Sequence, residues 1–164
     1  MKKEIAIIGL GKMGANMRLR LEEYHWKVLG LDKGNDFSKI KNLPRPRAII
    51  LSVPAEAVDE VIREISRFLE KGDRLADFGN SFYKDSIRRA KMLSKRSIYF
   101  VDVGISGGPG GARRGACLMV GGREKDFVYL KPLFLTLARE KEAVQFFKGA
   151  GAGHFVKMVH NGIE

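Results

Sequence analysis

"IAIIGLGKMGANM", Ile5 to Met17, decides the fold. Ile5 to Ile8 run without a polar interruption, which suits a strand buried on both faces of a parallel sheet. Gly9, Gly11 and Gly14 then form G-x-G-x-x-G, and a helical pattern runs from Lys12 to Tyr24. In such a strand, turn and helix the first glycine permits the tight turn. The second lets a pyrophosphate approach the backbone, and the third lets helix and strand pack closely. The phosphates would sit at a helix N-terminus, where unpaired N–H groups and the dipole favour negative charge. Asp32 closes the next apolar run, Val28 to Leu31, 21 residues after Gly11. An acidic side chain there accepts hydrogen bonds from ribose hydroxyls and repels a 2′-phosphate, which favours NAD over NADP. Lys33 is a complication, since a neighbouring cation could tolerate that phosphate. The bland alternative is a glycine-rich turn in some other α/β fold.

Outward from this unit, short β-branched runs alternate with longer helical patterns. Further strands are expected at Ala48 to Val53, Arg74 to Phe78 and Tyr99 to Val103, with two more at Ala116 to Gly122 and Glu142 to Phe147. Further helices are expected at Ala57 to Leu69, Lys84 to Ser94 and Glu124 to Leu137. That alternation predicts an α/β fold of Rossmann type, a doubly wound and mainly parallel sheet with flanking helices. "KGAGAG", Lys148 to Gly153, is the one linker-like stretch. The expected division is a dinucleotide-binding domain over residues 1–152 and the start of an interdomain helix over 153–164.

With 164 residues, 45% apolar and 30% charged, the chain has room for one packed domain and not two. No apolar run approaches the roughly 20 residues of a membrane span, so no membrane partner is expected. The single cysteine, Cys117, excludes an internal disulfide and fits a reducing cytoplasm. Three scattered histidines give no metal-ligand spacing. A net charge of +11 favours anionic partners without choosing among them. The densest basic cluster, Arg88 to Arg96, is interleaved with Ala90, Met92 and Leu93 and reads as a solvated helix face. Exposed aromatics or a recognition helix, which a nucleic-acid module would want, are not found.

Two later segments carry candidate chemistry. "DVGISGGPGGARRG", Asp102 to Gly115, reads as a glycine loop after the fifth strand, where Ser106 and the Gly107 and Gly108 amides could hold a carboxylate or phosphate. A mobile turn is the competing reading. Asn80 follows the fourth strand at the same sheet edge, where an asparagine otherwise serves as a turn residue. In "GAGHFVKMVHNGIE", Gly151 to Glu164, helical periodicity puts Lys157, His160, Asn161 and Glu164 on one arc, with Val156, Val159 and Ile163 opposite. A wet face is the simple explanation. A base, an acid and two neutral hydrogen-bonding groups stacked together are also what proton transfer requires.

On "IGLGKMGANM", "DFGNS", "FVDVGISGGPGGARRGACLMVGG" and "GAGHFVKMVHNGIE", the chain resembles the 6-phosphogluconate dehydrogenases of the β-hydroxyacid dehydrogenase superfamily, above all their shorter, often NAD-linked branch. The resemblance implies oxidative decarboxylation of 6-phosphogluconate to ribulose 5-phosphate and carbon dioxide, in the pentose phosphate pathway. It implies that Lys157 is the general base at the C3 hydroxyl and that Glu164 is the acid that protonates C1. Asn80, Ser106, Gly107, Gly108, His160 and Asn161 match substrate-holding positions. Gly9, Leu10, Gly11, Lys12, Met13, Gly14, Asp32, Lys33, Val53, Pro54, Ala55 and Asn80 match cofactor positions. A lysine base near neutral pH needs a depressed pKa and a proton-donating glutamate a raised one, which burial under a lid can supply.

Members of this family continue into a helical domain that completes the substrate pocket and most of the dimer interface, whereas Glu164 is the last residue here. The expectation is therefore the cofactor domain of a longer, homo-oligomeric enzyme, binding NAD but not turning over substrate alone. One rival is a 3-hydroxyisobutyrate type of dehydrogenase without decarboxylation, against which His160 and Glu164 argue. Another is a non-catalytic NAD-sensing or nucleic-acid-binding module, which leaves the Lys157 to Glu164 face unexplained.

Overall fold

The computed structural model of the chain describes residues 1–163. Strand β1 (Glu4–Ile8) leads through the glycine turn into α1 (Lys12–Glu23), followed by β2 (Lys27–Leu31), β3 (Ala48–Leu51), α2 (Val58–Ile65) and β4 (Arg74–Asp77). Then come α3 (Tyr83–Ser94), β5 (Tyr99–Ser106), α4 (Gly108–Arg114), β6 (Cys117–Gly122), α5 (Glu124–Leu137), β7 (Val144–Lys148) and α6 (Ala152–Ile163). They build a 7-stranded sheet in the order β2-β1-β3-β4-β5-β6-β7. The first five strands are mutually parallel, β6 pairs antiparallel with β5, and β7 runs parallel to β6.

The unbroken apolar runs follow from this arrangement. Ile5 and Ile7 of β1 point into one core with Met17, Leu21 and Phe134. Ala6 and Ile8 point into the opposite core with Val58, Ile62 and Leu93. Alternate residues of β3 divide in the same way, Ala48 and Ile50 to one side and Ile49 and Leu51 to the other. Helices on both faces thus remove both halves of each strand from water, and each fully buried aliphatic side chain contributes about 1.5–3 kcal/mol.

Two expectations are corrected. The stretch from Asp102 to Gly115 is not a loop, since β5 continues to Ser106, held by the antiparallel register Ser106↔Cys117. "GPGGARR" then forms α4, with Pro109 in its first turn, where a missing N–H costs nothing. Glycine disfavours a helix by about 1 kcal/mol per residue, so local preference hides this element. Packing overrides it: α4 lies against α1 and buries Ala112. The second correction concerns the basic cluster of α3. Arg88 is solvated as expected, but Arg89 is only 2% exposed and is tied into the site described below.

Elsewhere the differences are at boundaries. The third strand stops at Leu51; Ser52 still donates its N–H to the Ile8 carbonyl at 2.8 Å before Pro54 leaves the sheet. The expected helix from Ala57 to Leu69 is α2 flanked by two short 3-10 turns, Ala55–Ala57 and Ser66–Phe68.

Candidate active site

Between β1 and β3 the strand order reverses, because the chain first adds β2 on one side of β1 and then β3 on the other. Ligands of open α/β sheets bind at such a point, outside the carboxyl ends of the strands. The turns after β1 and β3 meet there. Gly9 has φ +96°, and a Cβ on it would strike the Ser52 carbonyl. A Cβ on Gly14 would strike the Gly9 carbonyl oxygen, so these two glycines are required by packing between turn, strand and helix. Gly11 differs, with nothing within 4 Å of where its Cβ would be. The first turn of α1 holds no acidic residue, so the helix dipole there is uncompensated and open toward an anion.

The cleft in front of this turn has a volume of about 620 Å³. Gly11, Lys12 and Met13 line one wall, with Val53 and Pro54 of the β3 turn beside them. Asn80 and the Ser106, Gly107 and Gly108 corner line another, and Lys157 and Asn161 of α6 close the far side. Sequence reasoning missed Ser52, Phe78, Gly79 and Ile105, which also line it; nothing in their own residue type marks them.

A buried network shapes the turn that presents Asn80. Asp77, fully buried at the end of β4, accepts from the Gly79 N–H at 2.9 Å and the Ser81 hydroxyl at 2.7 Å. Arg89 reaches in from α3, donating to Ser81 at 3.1 Å and to Asp59 at 2.9 Å, with Asp77 3.6 Å away. The Arg89 hydrogen bond, with Arg88 adding to it, lowers the Asp59 pKa from 3.8 to about 2. The folded state therefore binds a proton at Asp59 less readily than the unfolded chain does. The stability this adds is complete above pH 3.8 and drains as the pH falls toward 2. Because this carboxylate is 39% exposed, solvent screening limits the contribution to about 1 kcal/mol. Urea midpoints followed down through that window should fall more steeply for the wild type than for Asp59→Asn, and parallel curves would contradict the assignment.

Another buried carboxylate fixes α6. Asp102, on β5 and fully buried, accepts from the Gly151 N–H at 2.7 Å and the His154 N–H at 2.9 Å. It thus caps the N-terminal turn of α6 from across the sheet edge. His154, itself buried, shares a hydrogen bond of 2.8 Å with Ser86 of α3 through Nδ1. Gly153 and Gly104 permit the close approach: a Cβ on Gly104 would lie 2.5 Å from the Lys157 Cβ. Lys157 is thereby set against the β5 backbone one helical turn beyond the Asp102 cap.

The expected arc on α6 is only partly assembled. Lys157 and Asn161 reach the cleft, His160 is half-buried and is not among the lining residues, and Glu164 lies outside the described residues. The opposite face does not pack inward: Val159 is 43% and Ile163 82% exposed, and Phe155 and Met158 are exposed beside them. Lys157 and His160 are half-buried while four large apolar side chains of the same helix are exposed, so much of its apolar surface faces out, unlike that of an ordinary surface helix.

Asp32 is held in place by its neighbours' backbone and by Asn35. It accepts from the Leu10 N–H at 3.2 Å and the Lys33 N–H at 2.9 Å, while its own N–H donates to Asn35 at 2.7 Å. Asp32, Lys33, Val53 and Pro54 line a second recess next to the main cleft. Leu10 acts through that backbone bond, and Ala55, which begins a 3-10 turn, lines neither space. A pinned carboxylate, an open Gly11 and a free helix terminus in series fit a dinucleotide. Among the described residues no group of three or more metal-ligating side chains is present, and no helix is long and apolar enough to cross a membrane.

The family described as "NAD binding domain of 6-phosphogluconate dehydrogenase" matches residues 4–149. The chain belongs to this family. YqeC of Bacillus subtilis is 40% identical over 177 residues, covering 98% of this chain and 59% of its own length. The decarboxylating 6-phosphogluconate dehydrogenase of Haemophilus influenzae is 37% identical over 99% of this chain and 39% of its own length. Among solved structures, Plasmodium falciparum 6-phosphogluconate dehydrogenase, described with its cofactor NADP+ and its substrate 6-phosphogluconate, superposes with a TM-score of 0.85 at 32% identity. That match covers 98% of this chain and 40% of the Plasmodium one. The chain thus spans less than two thirds of these relatives, and the fold and oxidoreductase family read from its motifs are those of the enzymes it matches.

Proposed function

We propose that this chain is the cofactor-binding domain of an NAD-dependent dehydrogenase that oxidises and decarboxylates 6-phosphogluconate to ribulose 5-phosphate. One observation carries the reading: Lys157 and Asn161 line the same cleft as the glycine turn, Asn80 and the Ser106 corner. A proton acceptor thereby stands opposite the cofactor wall, where a hydroxyl acid between them would present its carbinol to both.

When bound, the nicotinamide supplies a hydride acceptor. Lys157 takes the proton of the C3 hydroxyl as C3 is oxidised, and returns it to the C3 oxygen while the carboxylate leaves. Asn80 and Asn161 hold substrate hydroxyls, and Ser106 with the Gly107 and Gly108 amides holds the departing carboxylate. Glu164 is the proton donor to C1 and His160 a substrate contact in this scheme. The whole enzyme is proposed to act in the pentose phosphate pathway of the cytoplasm.

Residues 1–152 form the cofactor domain in this reading, and 153–164 begin a helix that enters a further, helical domain. The exposed side of α6 supports it, as do the edge-to-face rings of Phe82, Tyr83 and Phe155, whose centroids are 4.9 and 5.2 Å apart. That apolar surface suits a covering layer, through which the enzyme would also form its homo-oligomer.

Lys12 and Lys157 are the cations among the described residues lining the cleft. With Lys157 engaged at C3, little holds the 6-phosphate, so the 164-residue chain alone is expected to produce no NADH from 6-phosphogluconate. The longer protein is expected to form NADH and carbon dioxide, and Lys157→Met to lower kcat by about a thousandfold. NADH formation from 3-hydroxyisobutyrate but not 6-phosphogluconate would refute the substrate assignment.

A further inference from the structure

The recess beside the main cleft, about 190 Å³ in volume, has a polarity the rest of the chain would not lead one to expect. Ile8, Phe37, Val53, Pro54, Ala57 and Val61 form an apolar slot suited to a flat heteroaromatic ring. Its charged lining is Asp32, Lys33, Glu60 and Glu64. In a chain with 30 basic and 19 acidic residues, three carboxylates against one ammonium group is an inversion of the local charge. Glu60 and Glu64 stand one helical turn apart on α2, so they share a face, and both are exposed. Neither forms an ion pair among the described residues, so their charge is left to act on whatever enters.

Asp32 accounts for a ribose contact but not for these two. Resting on the reading of the cleft as a dinucleotide site, we propose that Glu60 and Glu64 act as a charge filter at its adenosine end. They repel a ribose 2′-phosphate and so reserve the site for the dinucleotide that lacks it. A 2′-phosphate carries up to two negative charges, so its entry beside Asp32 would set it against two further carboxylates, with Lys33 the one cation among the described residues lining the recess. NAD+ brings no charge to that position and meets no such barrier. The filter is electrostatic and is therefore weakened by salt.

The test is calorimetric titration of the purified chain and its Glu60→Gln/Glu64→Gln variant with NAD+ and NADP+, at low salt and at about 1 M salt, where the screening length falls to ~3 Å. The wild type is expected to favour NAD+. At low salt the variant is expected to lower the ratio of the NADP+ to the NAD+ dissociation constant by about tenfold, the scale of two partly screened charge repulsions. At high salt most of that difference should vanish. A ratio within twofold of the wild type, a change of equal size at both salts, or a wild type that favours NADP+ would overturn the proposal. A wild type that binds neither dinucleotide would refute the cleft assignment itself, which distinguishes that failure from a failure of the filter alone.

Discussion

Asp102→Ala is expected to destabilise the chain by about 3–5 kcal/mol, the scale of removing a buried charge from the donors it satisfies. The variant strands the Gly151 and His154 N–H groups, which are buried at the start of α6 away from water. For a chain of this size the loss corresponds to a fall in Tm of about 10 °C. Urea denaturation reads it directly, as a lower midpoint with an unchanged slope. Asp102→Asn keeps one oxygen acceptor without the charge and should fall between the two. A cost below about 1 kcal/mol for the alanine variant would show that α6 is held by other contacts. Because Lys157 follows on the same helix, the loss should be accompanied by a disturbed cleft.

The glycine turn yields the second large effect, and there the glycines are not equivalent. Gly14→Ala places a methyl group on the Gly9 carbonyl oxygen, a backbone atom that cannot swing aside. It should cost about 3 kcal/mol or more by forcing α1 off β1. Gly11→Ala meets nothing within 4 Å; its backbone, at φ −65° and ψ −169°, is one that alanine adopts readily. Its stability should change by no more than about 1 kcal/mol. The added methyl would instead occupy the space a pyrophosphate needs, and NAD+ affinity should fall about a hundredfold, or some 2.7 kcal/mol. Thermal melts and calorimetry on both variants separate the two effects. Equal losses of stability, or undiminished NAD+ binding by Gly11→Ala, would contradict the division of labour.

Much of the fold was legible because hydrophobic period and turn chemistry agree locally. The β1 run, the glycine turn and Asp32 each point to the same strand, turn and helix. The α4 segment was hidden for the opposite reason: its glycines argue against a helix, and only the α1 surface makes one. Arg89 was read as solvated because Ala90, Met92 and Leu93 interleave with its basic cluster, yet the buried Asp77 beneath it draws it inward. Of the site, Lys157 and Asn161 were found through their spacing, whereas Asp102 gave no sign of its role. A lone aspartate in a strand says nothing of the helix terminus it will meet 49 residues later. Glu60 and Glu64 carry no motif that singles them out in the sequence, and only the recess they line gives them a meaning.

The central claim is that Lys157 and the reactive ring of the cofactor share one cleft. A crystal structure of the chain with NAD+ tests it most directly. The account predicts the pyrophosphate over Gly11, the adenine in the slot beside Phe37, and the nicotinamide facing Lys157 and Asn161. A dinucleotide bound elsewhere, or a nicotinamide turned from a Lys157 that points into solvent, would contradict it.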